Sequence, residues 1–125
     1  MYTERLVSRK SLEQIFTPFQ GPYREPHPIE RGLYSRHKYG YGWFITKWFE
    51  RNLVWHPGLI NGFCSAILRY PDDRTLVVVL ENLLPDLEGV SDPDLGEPMT
   101  VANALSAIAF GLPPDSSPVS GKTLT

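Results

Sequence analysis

The chain of 125 residues predicts an α+β fold: an antiparallel sheet of about four strands with a C-terminal helix packed on one face. Two patterns predict it. Residues 38–80 are dominated by period-two alternation broken at turn residues, and residues 99–111, MTVANALSAIAFG, close the chain with a 3.6-residue period. An apolar fraction of 42% with 12% aromatics supports one core, and the length allows one domain. Twelve prolines and ten glycines imply long irregular connections.

The elements follow in chain order. SRKSLEQIFT, residues 8–17, predicts a short helix: Ser8 and Ser11 are cap-competent, Leu12, Ile15 and Phe16 share a face, and Pro18 stops the turn. Prolines at 18, 22, 26 and 28 with Gly21 and Gly32 predict irregular backbone to about Arg36. KYGYGWFITKWF, residues 38–49, reads as the first strand, with Tyr39, Tyr41, Trp43 and Ile45 on one side. Gly40 and Gly42 lie opposite, where something packs closely. NLVWH, residues 52–56, is the second strand, after a turn near Glu50 and Arg51. The third covers 62–70, with Cys64, Ala66, Leu68 and Tyr70 on one face and Phe63, Ser65, Ile67 and Arg69 on the other.

Pro71-Asp72-Asp73-Arg74 is a turn in which Pro71 presets φ and the aspartates bond back to backbone amides. TLVVVL, residues 75–80, is apolar throughout and predicts a central strand buried on both faces. A loop rich in proline and acid runs from Asn82 to Pro98. The closing helix takes Thr100 as cap and Gly111 as stop, and lays Val101, Ala104, Leu105, Ile108 and Ala109 on the sheet. Residues 112–125 read as a flexible tail.

Composition excludes several functions. A net charge of −2 gives no basic stripe for nucleic acid. Residues 1–51 hold nine of the 12 basic side chains and residues 52–125 nine of the 14 acidic ones, a polarity read as solvated surface. Cys64 is the single cysteine, so no internal disulfide forms, and its strand position makes it a small buried hydrophobe. MYTERLVSRK carries charges where a secretory signal needs an apolar stretch, and no run is long enough to span a bilayer. The compartment is therefore left open.

His27, His37 and His56 have no ligand spacing for zinc, and Asp92, Asp94 and Glu97 lack a calcium-loop pattern, so neither metal nor cofactor is expected. Gly121-Lys122-Thr123 ends like a phosphate loop without its first glycine, since position 116 is serine.

The ordered features YGYGW, HPG, GF with an alternating strand, RYPDDRTLVVVLEN and a closing helix resemble the C-terminal part of serine β-lactamase-related proteins. That family includes class C β-lactamases, D-alanyl-D-alanine carboxypeptidases and related esterases. The likeness covers roughly residues 8–111, so residues 1–111 are read as a C-terminal segment of a β-lactamase-like domain.

The resemblance implies amide or ester hydrolysis through an acyl-serine, with three converging elements: S-x-x-K, Y-x-N or S-x-N, and K-T-G or H-x-G. His56-Pro57-Gly58 matches the third. It implies that His56 faces substrate as a polar group, that Gly58 lets the substrate backbone approach, and that the Leu59 amide donates to an oxyanion. Trp55 and Pro57 would complete the substrate-binding wall. Pro57 departs from the usual threonine or serine and carries neither hydroxyl nor N–H.

Ser35 and Lys38 spell S-x-x-K, but they lead directly into the YGYGW strand, where i and i+3 point to opposite faces, so the match is read as chance. No Y-x-N or S-x-N occurs in the chain. The expectation is that both elements lie upstream of Met1, that the chain alone is not catalytically competent, and that its partner is the missing N-terminal part of the same hydrolase. TLVVVL would then lose its neighbour and present an open apolar edge. The alternative is a truncated, non-catalytic product acting as an interaction module through that edge or the acidic loop.

Overall fold

The computed structural model describes residues 6–19, 38–48, 50–82 and 97–116. Helix α1 spans Arg9–Ile15, and the strands are β1 (Lys38–Tyr39), β2 (Phe44–Trp48), β3 (Arg51–Ile60), β4 (Phe63–Tyr70) and β5 (Thr75–Glu81). Helix α2 spans Glu97–Ala109. All neighbours in the sheet are antiparallel and its order is β1-β2-β3-β4-β5, a simple meander. The predicted α+β architecture is therefore present, with five strands among the described residues where about four were expected.

The extra strand comes from the YGYGW stretch. Instead of one long strand, residues 38–48 form a hairpin: Tyr39 pairs with Phe44, and Gly40 N–H donates to the Trp43 carbonyl at 2.8 Å. Gly42 sits at φ 76°, in the left-handed region where only glycine is unstrained, so the backbone reverses there. The predicted close approach to Gly40 is observed. Its neighbours are the Ile15 and Thr17 carbonyls at the end of α1, and Tyr41 N–H donates to Ile15 O at 3.3 Å.

Helix α1 forms as expected from Ser8, whose side chain accepts from Ser11 N–H. Leu12, Ile15 and Phe16 are half-buried, Phe16 meets the edge of Trp43, and the Arg69 guanidinium lies 5.1 Å over the Phe16 ring. Thus α1 lies on the sheet face that carries Arg69.

The opposite face carries the core. Phe44, Trp48, Leu53, Trp55, Ala66, Leu68, Tyr70, Val77 and Val79 point there and are closed over by α2 through Met99, Ala102 and Ala107. β4 follows its predicted alternation, with Cys64, Ala66, Leu68 and Tyr70 buried and the Cys64 thiol donating to Glu81 Oε2 at 3.4 Å. The expected face of α2 is corrected. Val101, Leu105, Ile108 and Ala109 are exposed and Ala104 is half-buried, while the smaller side chains of Ala102, Ser106 and Ala107 meet the sheet. Small residues let the helix approach β4 and β5 closely, which leaves the bulkier stripe outward.

Thr100 lies inside α2, whose first residue is Glu97, so it is not the cap. Gly111 ends the helix as predicted: at φ 71° it donates to Ile108 O, and Leu112 N–H reaches Ala107 O at 2.8 Å. This is the double hydrogen bond of a Schellman stop.

β5 is also corrected. It is the last strand of the described sheet, with Val77 and Val79 buried and Leu76, Val78 and Leu80 exposed. Its second face finds no cover and no further strand pairs with it among the described residues, so the expected burial on both faces is not seen, while the apolar edge expected for a strand without its neighbour is.

The turn at residues 71–74 differs in detail. Arg74 N–H closes it on Pro71 O, and the two carboxylates reach across to β3, Asp73 to the Arg51 guanidinium and Asp72 to Asn52 Nδ2 at 2.8 Å. Arg51 also lies 4.1 Å over the Phe110 ring, tying the start of β3 to the end of α2.

Tyr70 is fully buried between Trp48 and Phe110, and its hydroxyl has no hydrogen-bond partner among the described residues. Ser106 stands beside it but turns its own hydroxyl to Ala102 O at 2.8 Å. Burial pushes the Tyr70 hydroxyl above its ordinary value, against the pull of Ser106 and the Arg51 guanidinium. A raised folded value means that stability is intact below the unfolded value of about 10 and is lost as pH rises through the folded one. Tyr70→Phe removes an unsatisfied buried hydroxyl, so it is expected to gain about 1 kcal/mol in urea unfolding at pH 7. The variant should also lose less stability than the parent between pH 9 and 11.

Candidate functional site

The predicted site residues sit on one strand. β3 runs past His56, where a strand end was one reading, and continues through Pro57 and Gly58 to Ile60. Among the described residues its outer half is paired on one side only. β4 covers residues 54–60 through Val54↔Arg69 to Ile60↔Phe63, whereas β2 reaches only as far as Phe44↔Trp55. Among the described residues, 56–60 therefore border a gap beyond the end of β2.

The register fixes which backbone groups face that gap. β3 and β4 are joined by a two-residue turn, Asn61-Gly62, with Gly62 at φ 81°, so Ile60↔Phe63 is the closing hydrogen-bonded pair and Gly58↔Ser65 and His56↔Ile67 follow it. Leu59 and Pro57 alternate with these and point their backbone groups the other way. The β2 side agrees, because Trp48↔Arg51 closes that hairpin and Thr46↔Leu53 and Phe44↔Trp55 follow in step. Leu59 N–H is thus aimed into the gap. Pro57 fits the same rule, since the N–H it lacks would have pointed to the uncovered side and no ladder bond is lost.

Side chains complete the picture. Gly58 stands opposite Ser65, whose Oγ fills the space that a Cβ at Gly58 would take. His56 is half-buried and stacks on Phe44 with ring centroids 5.4 Å apart. Its Nδ1 lies 2.5 Å from the Pro57 carbonyl oxygen, and its Nε2 lies 3.1 Å from the Tyr39 hydroxyl. Leu59 is exposed at the mouth.

Trp55 is different. It is 3% exposed and stacks on Phe44 at 4.7 Å within the core, so its side chain backs the strand from behind. Tyr39 and Ser65 were not singled out from sequence as site residues. The Asn61-Gly62 pair is the signal that sets Ser65 opposite Gly58; no comparable local signal brings Tyr39 to His56, because that contact spans 17 residues.

Other candidates do not join this site. His27, Ser35, Arg36, His37, Asp92, Asp94 and Gly121-Lys122-Thr123 lie outside the described residues. Lys38 opens β1 in extended backbone and is exposed. Among the described residues no three His, Cys, Asp or Glu side chains gather as a metal set, and no helix is long and apolar enough to cross a membrane.

Comparison with known proteins finds no matching family model and no matching curated protein. Among solved structures, the octameric penicillin-binding protein homologue from Pyrococcus abyssi is similar to this chain at 25% identity with a TM-score of 0.63. The match covers 94% of this chain and 24% of the neighbour, so the chain spans about a quarter of that protein's length. The five-stranded sheet with its packed C-terminal helix is thus a penicillin-binding-protein-like arrangement, supporting a relationship to that group of proteins.

Proposed function

We propose that the chain supplies one wall of the acyl-transfer cleft of a β-lactamase-related serine hydrolase, acting on a small amide or ester through an acyl-serine. His56, Pro57, Gly58 and Leu59 form the wall, and the attacking serine, its lysine and the assisting tyrosine come from another part of the hydrolase. The observation that carries this reading is the aim of the Leu59 N–H away from β4, on the side of β3 that β2 does not reach among the described residues. Acyl transfer develops negative charge on a carbonyl oxygen, and one fixed donor on a rigid strand lowers that barrier by about 3 kcal/mol. The structural likeness to a penicillin-binding protein homologue supports the same class.

A wall is not an enzyme. Removal of the nucleophile from such a constellation costs about a millionfold in rate, leaving the contribution of donors and binding. Lys38 in extended backbone supports reading Ser35 and Lys38 as a chance match, because the motif needs both on one helical turn. The chain alone is therefore inactive, and Trp55 serves the wall by fixing β3 from the core side.

The test has two arms. Incubation with fluorescent penicillin and a fluorophosphonate is expected to give no covalent adduct. Titration of the 15N-labelled chain with a phosphonate monoester, whose anionic oxygen mimics the tetrahedral intermediate, is expected to move the Gly58 and Leu59 amides saturably. Stoichiometric labelling at Ser35, or shifts confined to residues far from 56–59, would overturn the reading.

A further inference from the structure

We infer that Tyr39 is a positioning residue that locks His56 into a single orientation and the Nδ1–H tautomer, an inference that deepens the proposed role of the β3 wall and rests on it for its functional meaning. The chemistry of the partners dictates the proton positions. The Pro57 carbonyl can only accept, so the Nδ1 atom 2.5 Å away carries the hydrogen. In a neutral imidazole the other nitrogen is then a bare acceptor, and the Tyr39 hydroxyl 3.1 Å from Nε2 donates to it.

Three contacts hold the ring. The hydroxyl and the carbonyl grip its two nitrogens, and Phe44, which itself packs against the Tyr39 ring at 4.8 Å, stacks on its face. Both nitrogens are committed within the protein, so neutral His56 directs no N–H of its own toward a ligand and does not serve as the proton acceptor. Its work is mechanical: it ties the Pro57 carbonyl, and with it the backbone one residue before Gly58, to β1. The Leu59 amide keeps its aim because that stretch of β3, unsupported by β2, is braced through His56 instead.

Tyr39 is itself braced. Phe19 N–H donates to the Tyr39 carbonyl at 2.7 Å, and α1 seats on Gly40 next in the chain. The support of the wall thus runs from α1 through β1 to His56.

Nitrogen-detected spectra of the ring-labelled chain near pH 8 test the inference directly. The parent is expected to show Nδ1 protonated and Nε2 bare. Tyr39→Phe keeps the packing on Phe44 and removes only the donor, and is expected to bring in the Nε2–H tautomer to a readily detected fraction. Its amide spectrum for β4 and α2 should stay unchanged, which separates this effect from loss of fold. The same variant should weaken phosphonate binding at Leu59 several-fold.

A parent with Nε2–H, or a Tyr39→Phe spectrum with the parent tautomer and parent phosphonate affinity, would overturn the inference. If the parent binds no phosphonate but the tautomer shifts as expected, the acyl-transfer reading fails while the Tyr39–His56 lock stands.

Discussion

Trp48→Ala is expected to cost about 3–5 kcal/mol in urea unfolding, the largest loss from any single side chain of the sheet. Trp48 is 1% exposed at the end of β2 and touches both Tyr70 of β4 and Phe110 just past α2. Truncation leaves a void bounded by two aromatic rings and by the Arg51 guanidinium that lies on Phe110, and none of these can collapse into it without leaving another contact. Domains of this size are stable by about 5–15 kcal/mol, so the variant keeps only a fraction of its margin. Trp48→Phe retains a ring against Tyr70 and should recover roughly half of the loss. A cost under about 1 kcal/mol for the alanine variant would mean that α2 does not close over this end of the sheet.

The same cluster shows what joins stability to the candidate site. The β2–β3 hairpin is anchored at its closed end by Trp48, Arg51 and Asp73, while His56 to Leu59 lie at its far end, beyond the reach of β2. A wall built on an unsupported half-strand depends on rigidity imported from both ends. The Trp48 cluster supplies it at one end; the Asn61-Gly62 turn and the contact with Tyr39 supply it at the other.

How much of this was readable in the sequence depends on what each pattern encodes. β4 was legible residue by residue because its buried members are separated by polar or half-buried ones, so period two also reveals the face. β5 is legible as a strand, and its open edge follows from the expected missing neighbour, but the exposure of one face does not. With five apolar residues in a row from Leu76 to Leu80, alternation carries no information about which face is covered.

The closing helix is legible and its buried face is not, for a related reason. The largest apolar side chains gave the more conspicuous stripe, yet close packing over Val77 and Val79 selects the small ones. The YGYGW stretch alternates like a strand, but the positive φ at Gly42 turns it into a hairpin, a backbone event invisible to side-chain periodicity. His56-Pro57-Gly58 was recognised as a motif, and Leu59 as its donor, from resemblance. The hydrogen-bond parity that aims the Leu59 amide became derivable only once both hairpin registers were known.

Gly40→Ala is expected to cost about 2–3 kcal/mol and to loosen the site, although it adds a single methyl group. An ideal Cβ at position 40 would come 2.6 Å from the Ile15 carbonyl oxygen, 3.1 Å from the Thr17 carbonyl oxygen and 3.0 Å from Ile45 Cδ1. The first two are backbone atoms, so relief requires α1 to move away from β1. At Gly58 the obstacle is the Ser65 hydroxyl, which can rotate, so Gly58→Ala should be milder. Gly42 has open space around it and loses only its left-handed backbone preference on substitution, roughly 1 kcal/mol.

Displacing α1 breaks the bond from Tyr41 N–H to Ile15 O and strains that from Phe19 N–H to Tyr39 O, which together seat the strand that carries Tyr39. Gly40→Ala is therefore expected to lower the urea midpoint and to broaden the His56 ring signals, whereas Gly42→Ala should lower the midpoint less and leave those signals sharp. Equal behaviour of the two variants would show that α1 does not brace β1, and the chain of support from that helix to His56 would be broken at its first link.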